Sequence, residues 1–159
     1  MNKLHPDVYG RAADRFEHYA QTRFSASEVI WRPRLCVDLD PVRFSGINST
    51  DAELQAALDL GALIREYIIA EWEVEIVPVH SGNGVQLVFR IDEAPDSPLV
   101  AAFLKHLDAR FSNERVKVDT SLSDLPRIVR LPGTLNCKGD HIPERPRRLS
   151  HILEVQDVA

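Results

Sequence analysis

Asp38 and Asp40 stand two apart in the short apolar run Leu35-Cys36-Val37-Asp38-Leu39-Asp40. On an extended strand such a pair projects to one face, the Cα atoms about 6.6 Å apart at roughly 3.3 Å rise per residue. Two like charges side by side on an apolar strand are costly unless a cation or a base lies between them. Oxygen-only ligands suit Mg²⁺ or Mn²⁺. In phosphoryl chemistry these ions activate an attacking oxygen and stabilise the leaving one. An Asp-x-Asp pair equally fits a surface or capping role. Asp119, which closes Val116-Lys117-Val118, offers a third carboxylate, or else opens the turn into Thr120 and Ser121.

Ser81-Gly82-Asn83-Gly84 separates two β-rich runs. Such a loop presents backbone N–H groups to a phosphate, or is a plain tight hairpin. Arg127, Arg130 and Lys138 carry the charge to neutralise a triphosphate, with scattered surface bases as the alternative. The net charge of −5 argues against a protein that coats nucleic acid generally, but it hides an asymmetry. Residues 50–75 hold seven acids and one base, whereas residues 127–148 hold six bases and two acids. A local basic surface facing phosphates is compatible with an acidic total, as are two solvated faces of opposite sign. Cys137-x-x-x-His141 supplies too few soft ligands for zinc. Cys36 is expected to pack as a small hydrophobe, His80 to face solvent in its turn, and Trp31 and Trp72 to pack at the core or its edge.

Positioning these groups requires a scaffold, and 159 residues suit one domain, here taken as 1–159. Helical spacing marks residues 7–24. Leu35–Asp40 reads as a buried strand stopped by Pro41. Thr50-Asp51-Ala52-Glu53 is a capping box opening a helix to about Ala70, with Leu54, Ala57, Leu58, Leu63, Ile64 and Ile68 as its apolar stripe. Val74–Val79 and Val85–Ile91 form strands of a hairpin. Ser97-Pro98 starts a helix over 98–111, with Leu99, Ala102, Phe103 and Leu107 inward. Further strands are expected at Val116–Asp119, Arg127–Leu131 and Leu149–Val155. The pattern is α+β with a mostly antiparallel sheet. No apolar run reaches roughly 18 residues, the N-terminus lacks signal-peptide features, and two lone cysteines make no disulfide framework. A cytoplasmic protein with no membrane association is the expectation.

The order of the pieces is more specific than any one of them. Strand DLD, hairpin SGNG followed by a strand, strand VD and then RIVRLPGTLNCKGD resembles the archaeo-eukaryotic primase superfamily. The likeness is closest to small primase-polymerases of plasmids, phages and CRISPR-associated loci, and it runs from about Leu35 to Ile152. That resemblance implies an N-terminal α/β unit packed on an RRM-like, mostly antiparallel sheet. It implies template-directed transfer of nucleotides from NTP or dNTP to a 3′-hydroxyl with two Mg²⁺ or Mn²⁺ ions. Asp38, Asp40 and Asp119 would be the catalytic metal carboxylates. Ser81, Gly82, Asn83, Gly84 and Gln86 would form the nucleotide-binding motif, and Arg127, Arg130 and Lys138 the triphosphate pocket. Implied partners are a single-stranded DNA template and a helicase or an accessory replication or CRISPR protein.

Gln86 stands where the family usually has a histidine, and glutamine can donate a hydrogen bond but never carries charge. Arg127 and Arg130 are three apart, so a regular strand would send them to opposite faces. Two other readings stay open: a non-catalytic relative that binds nucleotide or single-stranded DNA, and a metal-dependent nuclease.

Overall fold

Strand β2, Val29–Pro41, is the spine on which the candidate residues hang. The computed structural model describes residues 2–11 and 24–153. Among them the other elements are β1 (Lys3–Leu4), α1 (Asp51–Trp72), β3 (Ile76–His80), β4 (Val85–Glu93), α2 (Leu99–Phe111), β5 (Val116–Val118) and β6 (His151–Ile152). The strands form one sheet in the order β1-β2-β4-β3-β6, with β5 pairing the far end of β2. Every pairing is antiparallel. The run β2–α1–β3–β4–α2–β5, laid out in space as β5-β2-β4-β3, is the split βαβ arrangement. Both helices belong to this one unit. Among the described residues no separate N-terminal α/β unit precedes it, since those before Val29 contribute only β1 and two 3₁₀ turns.

Alternation along β2 decides which face is which. Leu35, Val37 and Leu39 are buried in the core with Leu87, Val116, Val118 and the helices, while Cys36, Asp38 and Asp40 point to the opposite face. Pro33 is tolerated inside β2 because the register slips between Arg32 and Arg34, so no ladder bond is asked of it. In α1 the core stripe is Leu54, Ala57, Gly61, Ile64 and Ile68, spaced by three and four. Leu63 lies one residue, about 100°, off that stripe and is 52% exposed. The same offset explains α2, where Val100, Leu104 and Leu107 are buried while the expected Leu99 and Ala102 face solvent and Phe103 is half-buried.

The capping box forms as expected: the Glu53 N–H donates to Thr50 Oγ1 at 3.1 Å and the Thr50 N–H to Glu53 Oε2 at 2.8 Å. Thr50→Ala should therefore destabilise the fold by about 1 kcal/mol, measured by urea unfolding. Arg127–Leu131 is not a strand, since Pro126 and Pro132 bracket it and each removes a donor. The last strand shrinks to β6, and residues 154–159 lie outside the described residues. Of the helix expected over 7–24, a 3₁₀ turn spans Pro6–Arg11, and residues 12–23 lie outside the described residues.

Candidate active site

Asp38 sits at the centre of the sheet with neighbours on both sides. Gln86 of β4 is its cross-strand partner. On the other flank the Asp119 N–H donates to the Asp38 carbonyl at 2.8 Å, which sets the two residues opposite each other. One carboxylate oxygen of Asp38, Oδ1, is sealed from water with no hydrogen-bond donor. Burial pushes the Asp38 carboxyl up to about 7, and the charges of Asp40 and Asp119 push the same way. The Gln86 amide and Lys138 offset part of this.

Asp40 is more open, and Arg43 reaches it at 3.5 Å. The Arg43 guanidinium is fixed at its other corners by the carbonyls of Ile47 (3.1 Å) and Pro41 (2.9 Å), so it holds Asp40 from a rigid base. Sequence reasoning missed Arg43, although an arginine three residues after the second Asp of DLDPVR was a visible signal. Asp119 accepts from the Ser121 N–H at 2.9 Å and heads the 3₁₀ turn Thr120–Ser123, so the turn-forming role is fulfilled.

A groove of about 670 Å³ runs over this face, and its walls bring together Asp38, Asp40, Ser81, Asn83, Gln86, Arg130 and Lys138. Asp119 and Arg127 do not line it. Among the described residues no three His, Cys, Asp or Glu side chains are gathered into a metal-binding group. The two arginines part company even though residues 127–131 are not a strand. Arg130 lines the groove, its Nη1 on the Leu135 carbonyl at 3.5 Å. Arg127 pairs with Asp124 at 2.9 Å and lines a different cavity.

In the SGNG hairpin, expected as a phosphate cradle, three of the four backbone donors are already used. The Ser81 N–H donates to the Gly84 carbonyl, Gly82 to His80 Nδ1 and Gly84 to Ser81 Oγ, each at 3.0 Å. His80 is correspondingly buried, stacked on His151 with ring centroids 4.7 Å apart, and not solvent-facing. Burial, with His151 and Arg148 nearby, holds its imidazole below the ordinary value. Asn83 accepts from the Ser49 N–H (2.7 Å) and hydroxyl (3.1 Å) and donates to Asn48 Oδ1 (3.3 Å). Asn136 donates to the Ser81 carbonyl at 2.9 Å. Three buried asparagines thus tie the hairpin to the loop before α1 and to the segment carrying Lys138. Asn83 was expected at the nucleotide, but its side chain is spent on this tie, and Asn48 had no signal beyond being an Asn in a loop.

Two of the six bases in the basic segment turn inward as well. Arg145 makes a two-pronged contact with Glu53 at 2.7 and 3.0 Å, and Arg148 reaches Asp51 at 2.6 Å. The acidic first turn of α1 and the basic segment therefore neutralise each other, leaving Arg130 and Lys138 to the groove. Arg145 holds the Glu53 carboxyl below its usual range. A depressed carboxyl contributes stability above its unfolded value and loses it as pH falls through the folded one. Arg145→Met should accordingly melt below wild type at pH 7, and the gap should close below about pH 4. Of the remaining candidates, His141 accepts from the Arg147 N–H at 3.0 Å, Trp31 donates to Asp92 at 2.9 Å, and Trp72 packs edge-on against Tyr67 and Phe103.

The fold and groove define a mixed α/β protein whose open sheet face sets two acids against two bases. No family model matches the sequence, and neither does any curated protein. Among solved structures, the chain is similar to the polymerase domain from Mycobacterium tuberculosis Ligase D in complex with DNA. Identity is 22% and the TM-score 0.49, over 74% of this chain and 44% of that one. The chain thus spans less than half of the structure it matches. No helix among the described residues is long and apolar enough to cross a membrane.

Proposed function

We propose that the chain is a nucleotidyltransferase of primase-polymerase type, adding nucleotides from NTP or dNTP to a 3′-hydroxyl on a single-stranded DNA template. The observation that carries this reading is one groove holding Asp38 and Asp40 together with Arg130 and Lys138. A nuclease has no need of a triphosphate site, whereas a polymerase needs cations at one end of the groove and anion-binding side chains at the other.

The residues present fit Mg²⁺ or Mn²⁺. Asp38 has a sealed oxygen without a donor and two like charges nearby, a combination that a divalent cation relieves. Asp38 and Asp40 would hold the ions, with Asp119 contributing its charge from the flanking strand. When bound, such ions polarise the α-phosphate and lower the pKa of the attacking hydroxyl. The chain's own residues do the rest. Lys138 and Arg130 bind the triphosphate oxygens, Gln86 orients Asp38, and Arg43 keeps Asp40 aimed into the groove. Positioning and electrostatics supply the rate enhancement, with no covalent intermediate.

Incubation with primed single-stranded template, labelled nucleotides and Mn²⁺ tests the proposal: primer extension supports it, and template shortening would indicate the nuclease. Binding without extension would indicate the non-catalytic relative, a reading favoured by Asp119 being engaged with Ser121. Lys138→Ala should weaken triphosphate binding by about 1–3 kcal/mol, the range for a charge-assisted hydrogen bond. Arg127→Ala should leave that affinity unchanged, since Arg127 lies outside the groove. Calorimetry on both variants decides this.

A further inference from the structure

A second cavity, of about 330 Å³, lies on the same sheet face beside the groove. Ile128 and Val129 belong to the walls of both and so form the partition between them. The second cavity is mainly apolar, with Cys36, Val88, Leu122 and Leu125 in its lining. Its charged groups are mostly cationic: Arg32, Arg34 and Arg127, against Asp124. Arg32 is unusual. It is 4% exposed, yet its guanidinium ends on the carbonyls of Ser123 (2.8 Å) and Leu122 (3.1 Å), makes no ion pair among the described residues, and leaves Nε without a partner. Burial still holds the guanidinium below its ordinary value, and the charge of Asp124 offsets only part of that cost. An electron-rich ligand against that wall would offset the cost. The volume sits at the lower end of small-molecule sites, roughly 300–1,000 Å³, which suits one flat ring system and not a second triphosphate.

We propose that this cavity takes a base of the single-stranded DNA, beside the position served by the groove and across the Ile128–Val129 partition from it. The ring would lie against Val88 and Leu125 with its electron-rich edge toward Arg32, and the flanking phosphate would meet Arg34 and Arg127. The partition explains the split of the two arginines in Arg127-Ile128-Val129-Arg130: Arg130 serves the triphosphate and Arg127 the strand. This inference rests on the polymerase reading for the identity of the strand, but it can fail separately.

The test compares binding of an oligo-dT with an abasic oligonucleotide of equal length and charge, by fluorescence anisotropy at fixed salt. Wild type should prefer oligo-dT by roughly tenfold or more, as expected for a base seated on protein. Val88→Phe fills the cavity from the sheet and should reduce the preference to within about twofold, because the abasic strand keeps all its phosphate contacts. Leu125→Trp fills it from the opposite wall and stands in if Val88→Phe does not fold. Oligo-dT and abasic strands bound equally by wild type, or a preference retained in folded variants, would overturn the proposal. Primer extension separates the two readings. An active wild type whose variants keep the base preference loses only this cavity, whereas an inactive wild type whose preference vanishes on filling loses only the polymerase reaction.

Discussion

Asp38→Asn should abolish primer extension and, in EDTA at pH 7.5, make the protein melt at a higher temperature than wild type. Both effects have the same origin. In the unfolded chain an aspartate gives up its proton near pH 4, whereas in the fold burial and the charges of Asp40 and Asp119 hold the Asp38 proton to about 7. Between those values the unfolded state is the more ionised, so wild-type stability falls as pH rises, by at most about 1.4 kcal/mol per pH unit. Below pH 4 the contribution is whole; above 7 it is fully lost. Asparagine keeps the shape and removes the titration. The advantage of the variant should therefore be largest at pH 7.5 and vanish near pH 4. Millimolar Mn²⁺ should raise the wild-type midpoint and leave the variant's nearly unmoved, since only the carboxylate gains from the ion. A variant that melts below wild type at pH 7.5 in EDTA would mean that Asp38 supports the sheet and is not a strained functional group. Asp40→Asn should show a smaller stabilisation, because Asp40 is more open and already has Arg43 at 3.5 Å.

Gly84→Ala should cost about 3 kcal/mol or more, at the upper end for overpacking, and remove activity with it. A Cβ at Gly84 would stand 2.2 Å from the Leu39 carbonyl oxygen, 3.2 Å from its carbon and 3.3 Å from Asp40 Oδ1. The obstruction is backbone of β2, locked on one side to β4 and on the other to β5, so no side chain can swing away. Relief requires the hairpin to lift from the strand that carries Asp38 and Asp40, which opens the groove. Gly46→Ala is the comparison. Its Cβ would meet nothing within 4 Å, and only the φ of +81° is unfavourable. It should cost about 1–2 kcal/mol. Urea unfolding of both variants gives the ranking, and a Gly84→Ala protein as stable as Gly46→Ala would show that the hairpin does not sit as tightly on β2 as described.

Local pattern carried much of this protein. The Thr50–Glu53 capping box, the DLD alternation and the glycine-rich hairpin each depend on neighbours within a few residues, and each lies where the spacing puts it. The placement of Asp38 and Asp40 on one face follows from the two-residue repeat of a strand, whereas the parting of Arg127 from Arg130 occurs in an irregular segment that the spacing argument does not cover. Helix faces were legible only to within one residue, because a 100° step separates Leu63 or Leu99 from the buried stripe and both are leucines. Whether the SGNG donors, His80, Asn83, Arg145 and Arg148 were available could not be read locally. Their partners are 34 to 99 residues away for Asn83–Ser49 and Arg148–Ser49, and a backbone N–H looks the same in sequence whether water, a phosphate or a side chain satisfies it. Tertiary structure alone decided that the acidic turn of α1 takes up Arg145 and Arg148, and that Arg32 inside β2 is buried with its guanidinium on the carbonyls of Leu122 and Ser123. Those outcomes depend on long-range docking, in which each charged or polar group settles on the partner that best offsets its loss of water.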